Sequence, residues 1–199
     1  GMGTPAFIRG RVPQDGGLVS EGSAEAIFND MTVAIHQPQY LPWLGYFDKM
    51  DRADLFVLLD NVQYKKNEFI NRNRIKTAAG WQWLTAPVRY RYPERIDQVL
   101  INNGVNWRRQ HSQAILTNYG RAPFFQQYRA AFEEILEQGW ERLSDLNVRA
   151  VRDLAGMLGI RREAPVASAW DLSDDPTGRL VDICKRVGAD TYLSGAGGH

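Results

Sequence analysis

The chain has 199 residues, of which 44% are hydrophobic, and its 24 basic and 23 acidic side chains leave a net charge of +1. That length fits one domain with an appendage and enough apolar material for a proper core, while the neutral balance gives no global field directed at nucleic acid or a membrane surface. A lone cysteine, Cys184, excludes an internal disulfide and a CxxC-type zinc site, and the three histidines (His36, His111, His199) lie far apart, so no metal or other cofactor is implied.

The first 30 residues are rich in Gly, Pro and Ser and lack the apolar core of a signal peptide. Residues 1–30 read as an N-terminal extension, partly disordered or tag-derived, with Met31 as a candidate start; residues 31–199 read as one domain. No stretch approaches the roughly 18 apolar residues of a membrane span, and unpaired cysteine usage suits a reducing compartment. A cytoplasmic protein without membrane insertion is expected.

Thr32 to His36 has the short, β-branched character of a buried strand. Two prolines bar a helix interior from Gln37 to Pro42, whereas Trp43 to Met50 suits a short helix with Leu44, Phe47 and Met50 on one face. Leu55 to Leu59 is a second continuous apolar run. Strand, helix and strand make a βαβ unit, and fully apolar strands point to a parallel sheet covered on both faces. The fold class is therefore α/β, Rossmann-like at its start. A turn at Thr77-Ala78-Ala79-Gly80 between Arg72–Lys76 and Trp81–Thr85 predicts an antiparallel hairpin, and Val99 to Ile101 another short strand. A mid-chain helical segment follows. Its first helix is capped by Asn106 and ends before Gly120. The second opens at Pro123 with Phe124, Tyr128, Phe132, Ile135 and Leu136 facing inward, and the third is capped by Ser144. A strand at Pro165–Ser168, a helix at Thr177–Val187 and a last strand at Thr191–Leu193 complete the pattern.

Several residues could carry chemistry. His36 closes the first strand, and ligands of open α/β sheets bind outside strand carboxyl ends. Gln37, Tyr40, Trp43, Gly45 and Tyr46 give the loop after it an aromatic surface and one point of close approach. Residues 63–95 hold eight basic and only two acidic side chains, so charge is segregated although the total is not. Period-2 geometry puts Arg72, Arg74 and Lys76 on one strand face. Arginine forks match phosphate or carboxylate, which makes a phosphate-bearing small molecule the expected partner; a solvated edge strand is the alternative. Lys66 and Asn71 are near enough to join the same mouth. His111, about one turn into its helix, is a second acid–base candidate beside His36. Ser194 and Gly195 begin a Gly-rich stretch that could expose backbone N–H groups to phosphate. Nucleic acid is not an expected partner, since no known motif accompanies the basic strand.

Taken together, Ile35 to Phe47, Val57 to Tyr64, Asn71 to Lys76 and Trp83 to Val88 resemble the WbqC-like protein family, with weaker likeness at Trp107–His111, Tyr119 and Tyr192–Gly195. The resemblance implies a role in surface polysaccharide (O-antigen) biosynthesis. It implies an aminoacyl (glycine) or acyl transferase acting on a sugar or nucleotide-sugar, with His36 or His111 moving the proton. The alternative is a non-catalytic module binding a nucleotide or phosphate ligand. Family members continue past the Ser-Gly-x-x-Gly segment, so the sequence is expected to be C-terminally truncated. A looser likeness joins the chain to nucleotidyltransferases with the HIGH motif. Trp43, Leu44, Gly45 and Tyr46 stand at that motif, without its two histidines, which argues against adenylyl transfer.

Overall fold

The computed structural model describes residues 7–11 and 31–195. Its main sheet has four strands in the order β1 (Phe7–Arg11), β8 (Thr191–Gly195), β2 (Thr32–His36) and β3 (Leu55–Leu58). Strands β8, β2 and β3 run parallel, and β1 is antiparallel at the edge. The strand at the start of the expected N-terminal extension is thus part of the sheet; the rest of residues 1–30 lies outside the described residues.

The expected βαβ unit is present, with α1 (Leu44–Asp51) joining β2 to β3. Every residue of β3 and the first four of β2 are buried, because helices cover both faces. On one face Ala34, Phe56, Leu58 and Leu193 pack against Tyr46, Phe47 and Met50 of α1 and Val151 and Ala155 of α4 (Leu143–Met157). On the other, Val33, Ile35, Leu55 and Val57 meet Ile183 and Cys184 of α5 (Pro176–Val187). The period of two along each strand sorts its side chains between these layers. The chain moves from β2 to β3 through α1 on one face and enters β8 from α5 on the other. The order therefore reverses between β2 and β8, and this boundary is the topological switch point of the sheet.

A second core lies beside the sheet. The hairpin of β4 (Arg72–Thr77) and β5 (Gly80–Thr85) and the short pair β6 (Val88–Arg89) and β7 (Leu100–Ile101) contribute Leu84, Ala86 and Ile101. Helices α2 (Trp107–Tyr119) and α3 (Phe125–Glu137) add Trp107, Ile115, Ile135 and Leu136. Asn147 of α4 is fully buried and ties this core to the loop after β2, donating to Pro38 O at 3.0 Å and Ile70 O at 2.7 Å.

Three local expectations change. Pro165–Ser168 gives only a single parallel bridge, Leu58 to Val166, with Leu58 N donating to Pro165 O at 2.9 Å, before the chain turns into a 3-10 segment at Ala167–Ala169. Ser144 is a buried residue inside α4, whose capping position is Arg142. Phe124, at the capping position of α3, is 69% exposed rather than inward. No described helix is long and apolar enough to cross a membrane.

Candidate functional site

The carboxyl ends of the parallel strands bring His36 and Ser194 to one edge of the sheet. His36 is half-buried. Its Nδ1 lies 3.1 Å from Gln37 O, and its ring meets the Tyr46 ring edge-on at 4.8 Å. The Tyr46 hydroxyl donates to the same Gln37 carbonyl at 3.1 Å, which pins the loop to α1. Burial, reinforced by the positive charge of Lys49, brings the His36 pKa down to about 4, against a weaker opposing contact with Gln37. At neutral pH the imidazole is uncharged. Ser194 is buried, and its hydroxyl donates to Gly195 O at 3.0 Å. Among the described residues a Cβ placed on Gly195 would meet nothing within 4 Å. The remaining glycines of that stretch lie outside the described residues.

His111 is placed elsewhere. It is 5% exposed, on the inner side of α2, with its ring edge-on to Trp107 at 5.3 Å. The Tyr40 hydroxyl lies 2.7 Å from its Nδ1. Burial lowers its pKa to about 4, opposed by a contact with the Thr85 backbone. Tyr40 is itself fully buried, so this pair is sealed from solvent. The structure does not bring His36 and His111 together.

The hairpin carries the basic face. In the β4–β5 register Arg74 stands opposite Trp83 and Lys76 opposite Trp81, with Arg72 opposite Thr85. These side chains share one face, as the period of two requires. The Arg72 guanidinium lies 4.3 Å from the Trp83 ring, and that of Arg74 lies 5.0 Å from Trp81 and 5.4 Å from Trp83. Each such contact contributes about 0.5–2 kcal/mol and fixes the plane of the guanidinium. Arg72 also donates to Asn67 O at 2.5 Å, while its Nε is buried without a partner. Trp81 is 57% exposed and Trp83 36%. Lys76 is exposed, and its backbone N–H donates to the Tyr119 hydroxyl at 2.8 Å. Lys66 sits in an exposed turn before the hairpin. Asn71 is turned inward and donates to Ala86 O at 2.9 Å, fastening the base of the hairpin.

An unbroken run of rings links the two places. From His36 it passes to Tyr46, then to Trp43 (6.3 Å), Phe69 (5.5 Å) and Trp83 (5.9 Å), where the arginines stack. Trp43 is 46% exposed just before α1, and Gly45 is the second residue of that helix.

Two features escape sequence reasoning. Lys49 is 4% exposed, and its ammonium donates to Ile35 O at 2.9 Å. Burial lowers its pKa to about 8. The signal was its place in the apolar stripe of α1, between Tyr46 and Met50. Asp60, just past β3, is 3% exposed and accepts from Ser168 N at 2.8 Å and Ser168 Oγ at 2.7 Å. Burial raises its pKa. Asp60 borders a cleft of about 670 Å³ with Asp97, Arg142, Arg149 and Arg152. There the guanidinium groups are already engaged: Arg142 by Asp97 O, Arg152 by Ala164 O, and Arg149 by Asp153 and Glu134. The cleft offers less to an anion than the hairpin does. Among the described residues no cluster of His, Cys, Asp and Glu could hold a metal ion.

A model of the WbqC-like protein family matches residues 37–199. The chain belongs to that family. Another protein similar to it is the uncharacterised protein Rv1507c of Mycobacterium tuberculosis, 39% identical over 168 residues, which cover 82% of this chain and 71% of that protein. No solved structure matches the chain. The WbqC-like match begins one residue after His36 and takes in the aromatic loop, the hairpin and the Ser194 strand end.

Proposed function

We propose that this WbqC-like protein binds a phosphate-bearing sugar of the nucleotide-sugar class and acts on it as an acyl or aminoacyl transferase in surface polysaccharide assembly. The observation that carries the ligand class is the hairpin face, where Arg72 and Arg74 lie on Trp83 and Trp81. Indole faces stack on sugars and bases, and guanidinium forks held flat beside them accept phosphate oxygens in pairs. The transferase part rests on the resemblance of the family and on His36, a neutral imidazole at a strand carboxyl end that would take the proton from an attacking hydroxyl or amine. The test is a thermal-shift series with UDP- and CDP-sugars and CoA thioesters. Stabilisation of the wild-type protein, lost in the Arg72→Ala/Arg74→Ala double variant, is expected; no shift with any of these compounds overturns the proposal.

A second reading, a binding module without turnover, is favoured by one observation. His111 is enclosed with Tyr40, which leaves His36 as the single imidazole at the open edge of the described residues. Turnover that survives His36→Ala, or its absence in the wild-type protein despite ligand binding, would select between the two.

A further inference from the structure

The two halves of the main sheet part company at the switch point. β2 stays paired with β3 as far as His36, opposite Leu58. β8 stays paired with β1 as far as Gly195, opposite Phe7. Between β2 and β8, however, the ladder ends at Ala34 opposite Leu193, although both strands continue. The strands are therefore unpaired between Ile35–His36 and Ser194–Gly195, a wedge in the hydrogen-bond ladder.

The polar groups of that wedge are unevenly satisfied. Thr32 O and His36 O accept from Asp54 N and Leu59 N on the β3 side. In a parallel strand alternate residues address opposite neighbours, so Ile35 O points toward β8. It is the first carbonyl on that side to lose its strand partner, and Lys49 Nζ takes the vacated bond at 2.9 Å. An ammonium has three protons, and Ile35 O accepts one. No carboxylate among the described residues forms an ion pair with Lys49; its ammonium lies 6.0 Å from the Tyr192 ring, and its charge is felt by the uncharged His36. A buried cation without a counter-charge is costly, commonly by several kcal/mol. Position speaks for a ligand as well, since crevices outside strand carboxyl ends at a switch point are where open α/β sheets bind.

We infer that the wedge between β2 and β8 is an oxyanion-binding site in which Lys49 supplies the cation, His36 and Ser194 flank it, and a phosphoryl or carboxylate group of a small molecule supplies the missing counter-charge. The site uses other side chains than the hairpin face and different chemistry. Lys49 is a compact point charge that fits a single oxygen, where the arginines present forks. Among the described residues nothing lies within 4 Å of a Cβ at Gly195, which is the side from which the anion enters.

Titration calorimetry at pH 7 with simple anions tests this on the full chain carrying Arg72→Ala/Arg74→Ala, which removes the phosphate-binding forks of the hairpin. Orthophosphate and pyrophosphate report a phosphoryl group; acetate and glycine report a carboxylate. At least one of the four binds to that chain, and adding Lys49→Met weakens the binding by about tenfold or more. Methionine matches the length of lysine and removes a buried charge, a change that proteins often tolerate or gain from. If that variant does not fold, Lys49→Gln carries the same comparison. Equal binding with and without the Lys49 substitution, or no binding of any of the four anions to the Arg72→Ala/Arg74→Ala chain, overturns the inference.

Discussion

The hydroxyl of Tyr40 and Nδ1 of His111 face each other at 2.7 Å across a core that seals both. One comes from the loop after β2 and the other from α2, so the contact joins the sheet domain to the helical core. With the imidazole neutral, the hydroxyl donates and Nδ1 accepts. Tyr40→Phe deletes the donor and leaves a buried acceptor unpaired, which costs about 1–3 kcal/mol. Urea denaturation of the two proteins measures it. A cost near zero would mean that Nδ1 finds another donor.

Acid should weaken the fold through both imidazoles. His36 and His111 each have a folded pKa of about 4 against 6.5 for a free histidine. Between those values the unfolded chain takes up protons that the folded chain refuses, so stability is lost as pH falls from 6.5 to 4 and levels off below. For the enclosed His111 the full effect is about 3 kcal/mol. A pH series of unfolding free energies is expected to slope upward from pH 4 to 6.5, and His111→Gln to flatten that slope even where its overall stability is lower.

Asp60 and Ser168 hold the carboxyl end of β3 against the segment that follows α4. Two hydrogen bonds at 2.8 and 2.7 Å run from one serine to one carboxylate. Ser168→Ala removes the hydroxyl bond and keeps the backbone bond, for an expected loss of about 1 kcal/mol; Asp60→Ala removes both acceptors and should cost more. Comparison of the two variants by chemical denaturation checks the order.

Much of this was legible in the chain, for reasons that differ by residue. Thr32–His36 and Leu55–Leu58 announced themselves because a strand buried on both faces has to be apolar throughout. The Arg72, Arg74 and Lys76 face followed from a period of two. Its indole half was harder to see: Trp81 and Trp83 read as ordinary strand residues until the register set Arg74 opposite Trp83. Lys49 shares the buried stripe of α1 with Tyr46 and Met50, but its bond to Ile35 O depends on how far β8 follows β2, a pairing between residues far apart in sequence that no local pattern encodes. The same holds for His111, which reads as surface helix until Tyr40 is folded over it.

The hairpin prediction concerns ligand binding. Trp83 touches Arg72, Arg74, Phe69 and Trp81 at once. Trp83→Ala removes a stacking face and frees both guanidinium groups, so nucleotide-sugar affinity should drop by about 1–3 kcal/mol. Arg74→Ala should also make the remaining affinity less sensitive to salt, because an exposed charge contact is lost. Tryptophan fluorescence titrations at two ionic strengths measure both effects. Affinity unchanged in both variants would move the ligand away from this face.

The alkaline limb of stability reports on Lys49. Its pKa is about 8 in the fold against 10.5 in a free lysine. Below pH 8 the ammonium is charged in both states, and its burial penalises the fold. From pH 8 to 10.5 the folded chain has released this proton while the unfolded chain retains it, so this residue adds stability as pH rises, by about 3 kcal/mol over the window. Buried tyrosines and Cys184 act in the opposite direction there, since their pKa values are raised in the fold. The quantity to follow is therefore the difference between wild type and Lys49→Met. The Ile35 carbonyl left unpaired in the variant is a cost of about 1–3 kcal/mol at every pH; the pH-dependent part of the gap should favour the variant most at pH 7 and vanish toward pH 10.5. An oxyanion bound beside Lys49 would favour the charged ammonium and raise its pKa, so a saturating anion should narrow the gap already at pH 7. A gap that does not change with pH would show that the ammonium is not desolvated as its surroundings require.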